Sequence, residues 1–202
     1  MKNPVFNRVR LRQLITSTSL YIFTLLAFVA CNSSQKSENK PKELSFDPDK
    51  WLTVEETSLG FKAKFPGKWK SNIQFMDTGR GMATVYIFEY WHIAFQYGIT
   101  IVRLPEGVAD TNNTTKALDN AVLSLAEKQN AIVSYQQPIT VGGCPARRAV
   151  LTLPDSYLKN ARVNTIIVLR DNLVYRITTA GIGNLEYVDF FLKSFELVPM
   201  KL

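Results

Sequence analysis

The chain predicts an α+β fold in which helices pack on a mostly antiparallel sheet. Three observations lead there. Apolar residues recur with a period of two over several short segments joined by brief turns. Only two segments carry the helical period. Several strand segments are apolar on both parities, the pattern of a sheet covered on both faces. Short strand-to-strand links favour antiparallel pairing, and helices added to such a sheet give the α+β class.

Phe61, Ala63 and Phe65 alternate with Lys62 and Lys64, which predicts a half-buried strand, and Pro66-Gly67 stops it. Residues 69–75 predict a second strand, followed by a turn at Asp77-Thr78-Gly79-Arg80-Gly81. The run from Ala83 to Leu104 is too long for one strand of the usual ~5–6 residues, so it divides into a hairpin near Tyr90-Trp91-His92. Both halves are apolar on both parities, with Val85 and Ile87 on one and Tyr86 and Phe88 on the other.

Asn112 to Gln129 predicts a helix, capped by Asn113 or Thr114, with Leu118, Ala121, Val122, Leu125 and Ala126 on one face. Strands follow at 131–141, 145–153, 162–170 and 173–180, the last two joined by a tight turn at Asp171-Asn172. A second helix runs from Leu185 to Ser194 with Asn184 as its cap. Its apolar stripe is Val188, Phe191, Leu192 and Phe195. A short strand, Glu196 to Val198, ends the pattern.

The first 30 residues read differently. Arg8, Arg10 and Arg12 charge the front, Leu20 to Ala30 form an apolar stretch, and Ala30 is a small residue directly before Cys31. A basic start, an apolar middle and a small-residue cleavage site make a secretory signal. Leu26-Ala27-Phe28-Val29-Ala30-Cys31 resembles a bacterial lipobox, with cleavage after Ala30 and lipid (palmitate-type acyl chains) on Cys31. The alternative is an uncleaved anchor, but the apolar core is shorter than the ~20 residues a spanning helix needs. Residues 31–46 are polar and read as a flexible tether, leaving 47–202 as one globular domain.

Losing Lys2, Arg8, Arg10 and Arg12 with the leader lowers the formal charge from +7 to +3, so the high isoelectric point belongs largely to the signal. Nucleic-acid binding wants a concentrated basic face, and the chain offers only short groups such as Arg147-Arg148 and the Lys62, Lys64, Lys68, Lys70 series. With Cys31 acylated, Cys144 stands alone. It then reads as a small buried thiol without a disulfide partner.

His92 is the only histidine, so a Ser-His-Asp or Cys-His site would have to use it. Its place at a hairpin end favours a turn or packing role. Zinc wants about four Cys, His or carboxylate ligands, so neither metal nor cofactor is expected. Ala180-Gly181-Ile182-Gly183-Asn184 precedes a helix but lacks the third glycine and the Lys-Ser/Thr of phosphate cradles, and reads as a strand-to-helix turn. Glu55-Glu56 and Asp47/Asp49 read as solvated carboxylates. The aromatic group Tyr86, Phe88, Tyr90, Trp91, Phe95 and Tyr97 is the one local excess. Core packing explains most of it, and Tyr90, Trp91 and His92 form a candidate contact patch. Trp51 and Trp69 are further candidates to anchor a partner.

Gly60-Phe61-Lys62-Ala63-Lys64-Phe65-Pro66-Gly67 resembles the opening strand of PsbP-like domains, the α-β-α sandwich shared with the Ran-binding Mog proteins. The resemblance continues through the central helix, residues 142–153, Val174-Tyr175-Arg176-Ile177 and Phe190 to Phe195, and spans most of 50–198. It implies a non-enzymatic binding or assembly-factor role. Some photosystem members are linked to metal ions, and this chain has no matching cluster. The expectation is therefore a lipid-anchored accessory protein of a bacterial cell envelope, without catalytic activity. Its partners would be the membrane, through its lipid, and an envelope protein. Asn32 after Cys31 favours the outer membrane, facing the periplasm. A small-molecule or lipid-binding module is the alternative, and a hydrolase the third reading.

Overall fold

A computed structural model describes residues 47–92, 95–108, 113–154, 161–182 and 185–201. The leader, Ala30, Cys31, the tether and the Asn184 cap lie outside the described residues. Among the described residues, ten strands form two antiparallel sheets. The smaller has the order β1-β2-β10, from Leu52–Glu56, Phe61–Phe65 and Glu196–Leu197. The larger has the order β3-β4-β5-β9-β8-β7-β6. Its strands are β3 Lys70–Asp77, β4 Met82–His92, β5 Phe95–Arg103, β6 Ile132–Val141, β7 Cys144–Thr152, β8 Arg162–Arg170 and β9 Leu173–Gly181. Helices α1, Thr114–Lys128, and α2, Leu185–Ser194, complete the layers.

Alternation decides which side chain goes where. In β2, Phe61, Ala63 and Phe65 are fully buried while Lys62 and Lys64 turn away. They join Tyr97, Ile99, Ile101, Val168, Tyr175 and Ile177 of the large sheet in one core, closed by Val188, Phe191 and Leu192 of α2. Burying one such Phe stabilises by ~2–3 kcal/mol. The opposite face of the large sheet supplies Ala149, Leu151, Val163, Ile167 and Leu169, on which α1 lays Leu118, Val122, Leu125 and Ala126. Strand β8 is apolar on both parities because it lies under both helices.

Polar clamps fix the two helices. Arg147, nearly buried in β7, donates from Nε to Asp119 Oδ1 of α1 at 2.6 Å, and Gln136 Nε2 of β6 donates to the same oxygen at 2.6 Å. Arg148, one residue on and so facing the other way, donates to Asp189 Oδ1 of α2 at 2.7 Å. Asn130, left-handed at φ 47°, closes α1, and the Ala131 N–H donates to Ala126 O at 2.9 Å. Asn113 does stand at the N-cap of α1, but its side chain makes no capping hydrogen bond.

The small sheet is fastened at the β8-β9 turn end. Tyr175 Oη donates to Leu59 O at 2.8 Å, and Arg170 Nη1 donates to Val198 O at 2.9 Å. Gly60 lies between these groups at φ 66°, where an added Cβ would stand 2.6 Å from Met200 and 2.8 Å from Arg170. Only glycine fits that turn.

Four expectations need correction. Strand β1 was not anticipated, because Val54 is its sole buried residue and gives no alternation. The second predicted strand runs on to Asp77. Trp51 does not stand free as an anchor: it is buried, edge-on to Tyr97 and Phe190 at 5.7 and 4.9 Å between ring centroids. Cys144 is half-buried at the start of β7, not enclosed.

Candidate functional site

The pairing of four strands builds a site at one end of the large sheet. His92 lies opposite Phe95, Phe95 opposite Gly181, and Gly181 opposite Arg162. The next row on the same face is Tyr90, Tyr97, Thr179 and Asn164. Directly opposed residues share a face. Both rows therefore face the side on which α2 packs.

Between these rows and the first turn of α2 lies a cavity of about 410 Å³. Phe95, Ile182, Leu185 and Val188 supply apolar wall, and Arg162, Asn164 and Thr179 supply polar groups. Arg162 is exposed and makes no ion pair with any described residue. Thr179 is 1% exposed, and its hydroxyl has no hydrogen-bond partner among the described residues. Leu185 and Val188 of the first turn of α2 close the cavity on the side away from the sheet. Glu186 stands in that first turn as well. A fixed cation, an amide, a hydroxyl and apolar walls suit a ligand with an anionic or acceptor-rich end and an apolar body.

The candidate patch Tyr90, Trp91 and His92 is divided by the pleat. Tyr90 and His92 share the cavity face. Tyr90 is tilted against Tyr97 at 6.2 Å, and its ring lies against Gly67. Trp91 projects from the other face, 47% exposed, and its Nε1 donates to Glu89 Oε2 at 3.0 Å. His92 is half-buried beside the cavity, and its side chain makes no hydrogen bond or ion pair to a described residue. Cys144, paired with Val141, falls at the Arg170 end of β7. Along β8 that end is eight residues from Arg162, roughly 26 Å, which keeps Cys144 and His92 apart. Among the described residues no group of three or more His, Cys, Asp or Glu is placed to hold a metal ion. No described helix is long and apolar enough to cross a membrane.

Burial of Tyr97 pushes its phenol above the usual range, with Tyr187 and Tyr90 adding to the shift, so it stays a neutral wall behind the cavity. Arg162, Asn164 and Thr179 were not singled out from sequence. A signal for them was present. Both strands of the 162–181 hairpin change from apolar to polar on this face at the same end, and the Asp171-Asn172 turn sets Arg162 opposite Gly181 and Asn164 opposite Thr179.

The fold is PsbP-like. A search of solved structures finds the solution structure of cyanobacterial PsbP (CyanoP) from Synechocystis sp. PCC 6803, with a TM-score of 0.50 and 9% identity. The match covers 73% of this chain and 92% of that one. No family model matches the chain, and no curated protein matches it.

Proposed function

We propose that this chain is a lipid-anchored binding or accessory protein of a bacterial cell envelope, acting without catalysis. The cavity beside α2 carries the reading. It gathers polar groups and apolar wall around a guanidinium that pairs with no described carboxylate, while its neighbour His92 lies far along the sheet from the Cys144 thiol. That arrangement recognises and holds. The basic leader, apolar stretch and Ala30-Cys31 junction support export and acylation, with Asn32 favouring the outer membrane. The likeness to a PsbP structure supports an accessory role by analogy of fold alone.

The test is isolation of the full chain from native membranes in mild detergent, beside an Arg162→Glu variant. The expected result is an acylated N-terminal peptide beginning at Cys31 by mass spectrometry, and an envelope protein retained by the native chain but lost by the variant. A chain intact from Met1, or retention indifferent to Arg162, overturns the reading. A small-molecule module is the second reading, favoured by the apolar wall of Phe95, Ile182, Leu185 and Val188. In the same experiment it predicts an Arg162-dependent small-molecule adduct in native mass spectra, with no protein retained.

A further inference from the structure

Among the described residues, strand β3 is a border of the large sheet, hydrogen-bonded on one side to β4. Its length is eight residues, without proline or bulge, and its central residues Ser71 to Met76 are uncharged. Ile73 is 56% and Phe75 71% exposed on one face, and Met82, next to them across the β3-β4 pairing, is 58% exposed. Such a border is a template for strand addition. The orientation of its backbone follows from two hydrogen bonds. Thr78 N–H donates to Gly81 O at 3.0 Å across the β3-β4 turn. That starts the alternation in which Met76, Gln74 and Asn72 bond toward β4. Ile73 N–H instead donates to its neighbour Asn72 Oδ1 at 2.8 Å, on the open side. Ser71, Ile73, Phe75 and Asp77 therefore present their backbone groups outward.

From this we infer that β3 is an interface for a second copy of this chain, paired antiparallel about a two-fold axis at Gln74. Only same-face, outward-facing residues can pair across such an axis. Centring on Gln74 sets Ser71 against Asp77 and Ile73 against Phe75 of the second copy, twice each by symmetry. All four outward residues then exchange bonds, about eight in total, whereas a two-residue slip leaves one of them without a partner. The same register makes two Ile-Phe cross-strand contacts bordered by Met82. Charge agrees, since antiparallel docking brings the Lys70 end of one strand to the Asp77 end of the other. The chain as sequenced supplies the partner, so no other protein is needed to cover the patch. The Asn72 side chain has only to swing off Ile73 N–H, and it is exposed.

The test uses the full chain in detergent. Sedimentation up to about 100 μM should show a monomer-dimer equilibrium. Phe75→Lys, a change at an exposed position, should raise the dissociation constant at least about 100-fold, because symmetry applies it twice. Gln74→Cys places two thiols at a non-hydrogen-bonded pair, with Cα atoms about 4.5 Å apart, inside disulfide range. Mild oxidation should give a covalent dimer that neither the native chain nor Asn72→Cys gives. A monomer throughout, a dimer insensitive to Phe75→Lys, crosslinking through Asn72→Cys instead, or Gln74→Cys trapping a different protein would each overturn the inference.

Discussion

Strand β6, at one border of the seven-stranded sheet, carries Pro138 and a bulge between Val133 and Tyr135. Strand β3, at the other border, has neither. Both expose apolar side chains, Ile132 and Tyr135 on β6 and Ile73 and Phe75 on β3. What separates them is the backbone. Proline removes a donor and the bulge breaks the ladder, so β6 cannot accept a regular neighbour. β3 keeps an unbroken row and turns one of its N–H groups onto its own Asn72. Exposed apolar area alone would rank the two borders alike, and hydrogen-bond continuity tells them apart.

The largest expected effect strikes the β6 side. Asp119 is the acceptor that holds Gln136 of β6 and Arg147 of β7 to α1. In Asp119→Ala the Arg147 charge stays nearly buried without its partner. Unfolding in urea should show a loss of about 2 kcal/mol, moderated because the Asp119 side chain is 41% exposed. A loss below ~0.5 kcal/mol would mean that packing alone seats α1. Phe75→Lys on the open border should leave monomer stability within about 0.5 kcal/mol in the same assay.

Next comes the proline itself. Pro138→Val restores a backbone donor on β6 and should change stability by no more than about 1 kcal/mol, yet light scattering on warming should reveal faster association. Unchanged association would place the protection of that border in the bulge.

The smallest effect lies where α1 ends. Burial, with help from Arg176, lowers the Lys128 ammonium to about 8 from its usual 10.5. The folded chain gives up this proton first, so between pH 8 and 10.5 the unfolded chain binds more protons and stability rises with pH. Lys128→Met should flatten that rise in thermal melts, and an equal slope in both chains would assign it to other groups.

Much of the architecture was legible because burial imprints a period. Phe61, Ala63 and Phe65, the β8-β9 hairpin and the α2 stripe of Val188, Phe191 and Leu192 announce their partners' directions. β1 left no imprint, with Val54 alone buried. The cavity was half legible. Arg162, Asn164, Thr179 and Gly181 face one another within one hairpin, so pairing from the turn would have joined them. Phe95 joins them only because β5 lies beside β9, a neighbourhood set by tertiary packing and not by local sequence. The split between Tyr90 and Trp91 follows from the pleat, and a patch drawn from consecutive residues overlooks it.

The two-residue turn at Asp171-Asn172, with Asp171 at φ 53°, governs more than its own corner. It acts as a ratchet stop for the hairpin. One inserted residue would slide β9 by a notch, setting Thr178 opposite Asn164 where Thr179 now stands and turning Leu173, Tyr175 and Ile177 off the core face. The cavity at one end of the molecule is thus timed from the other, and lengthening this turn should strike the core through Tyr175 and Ile177 together with the cavity wall at Thr179.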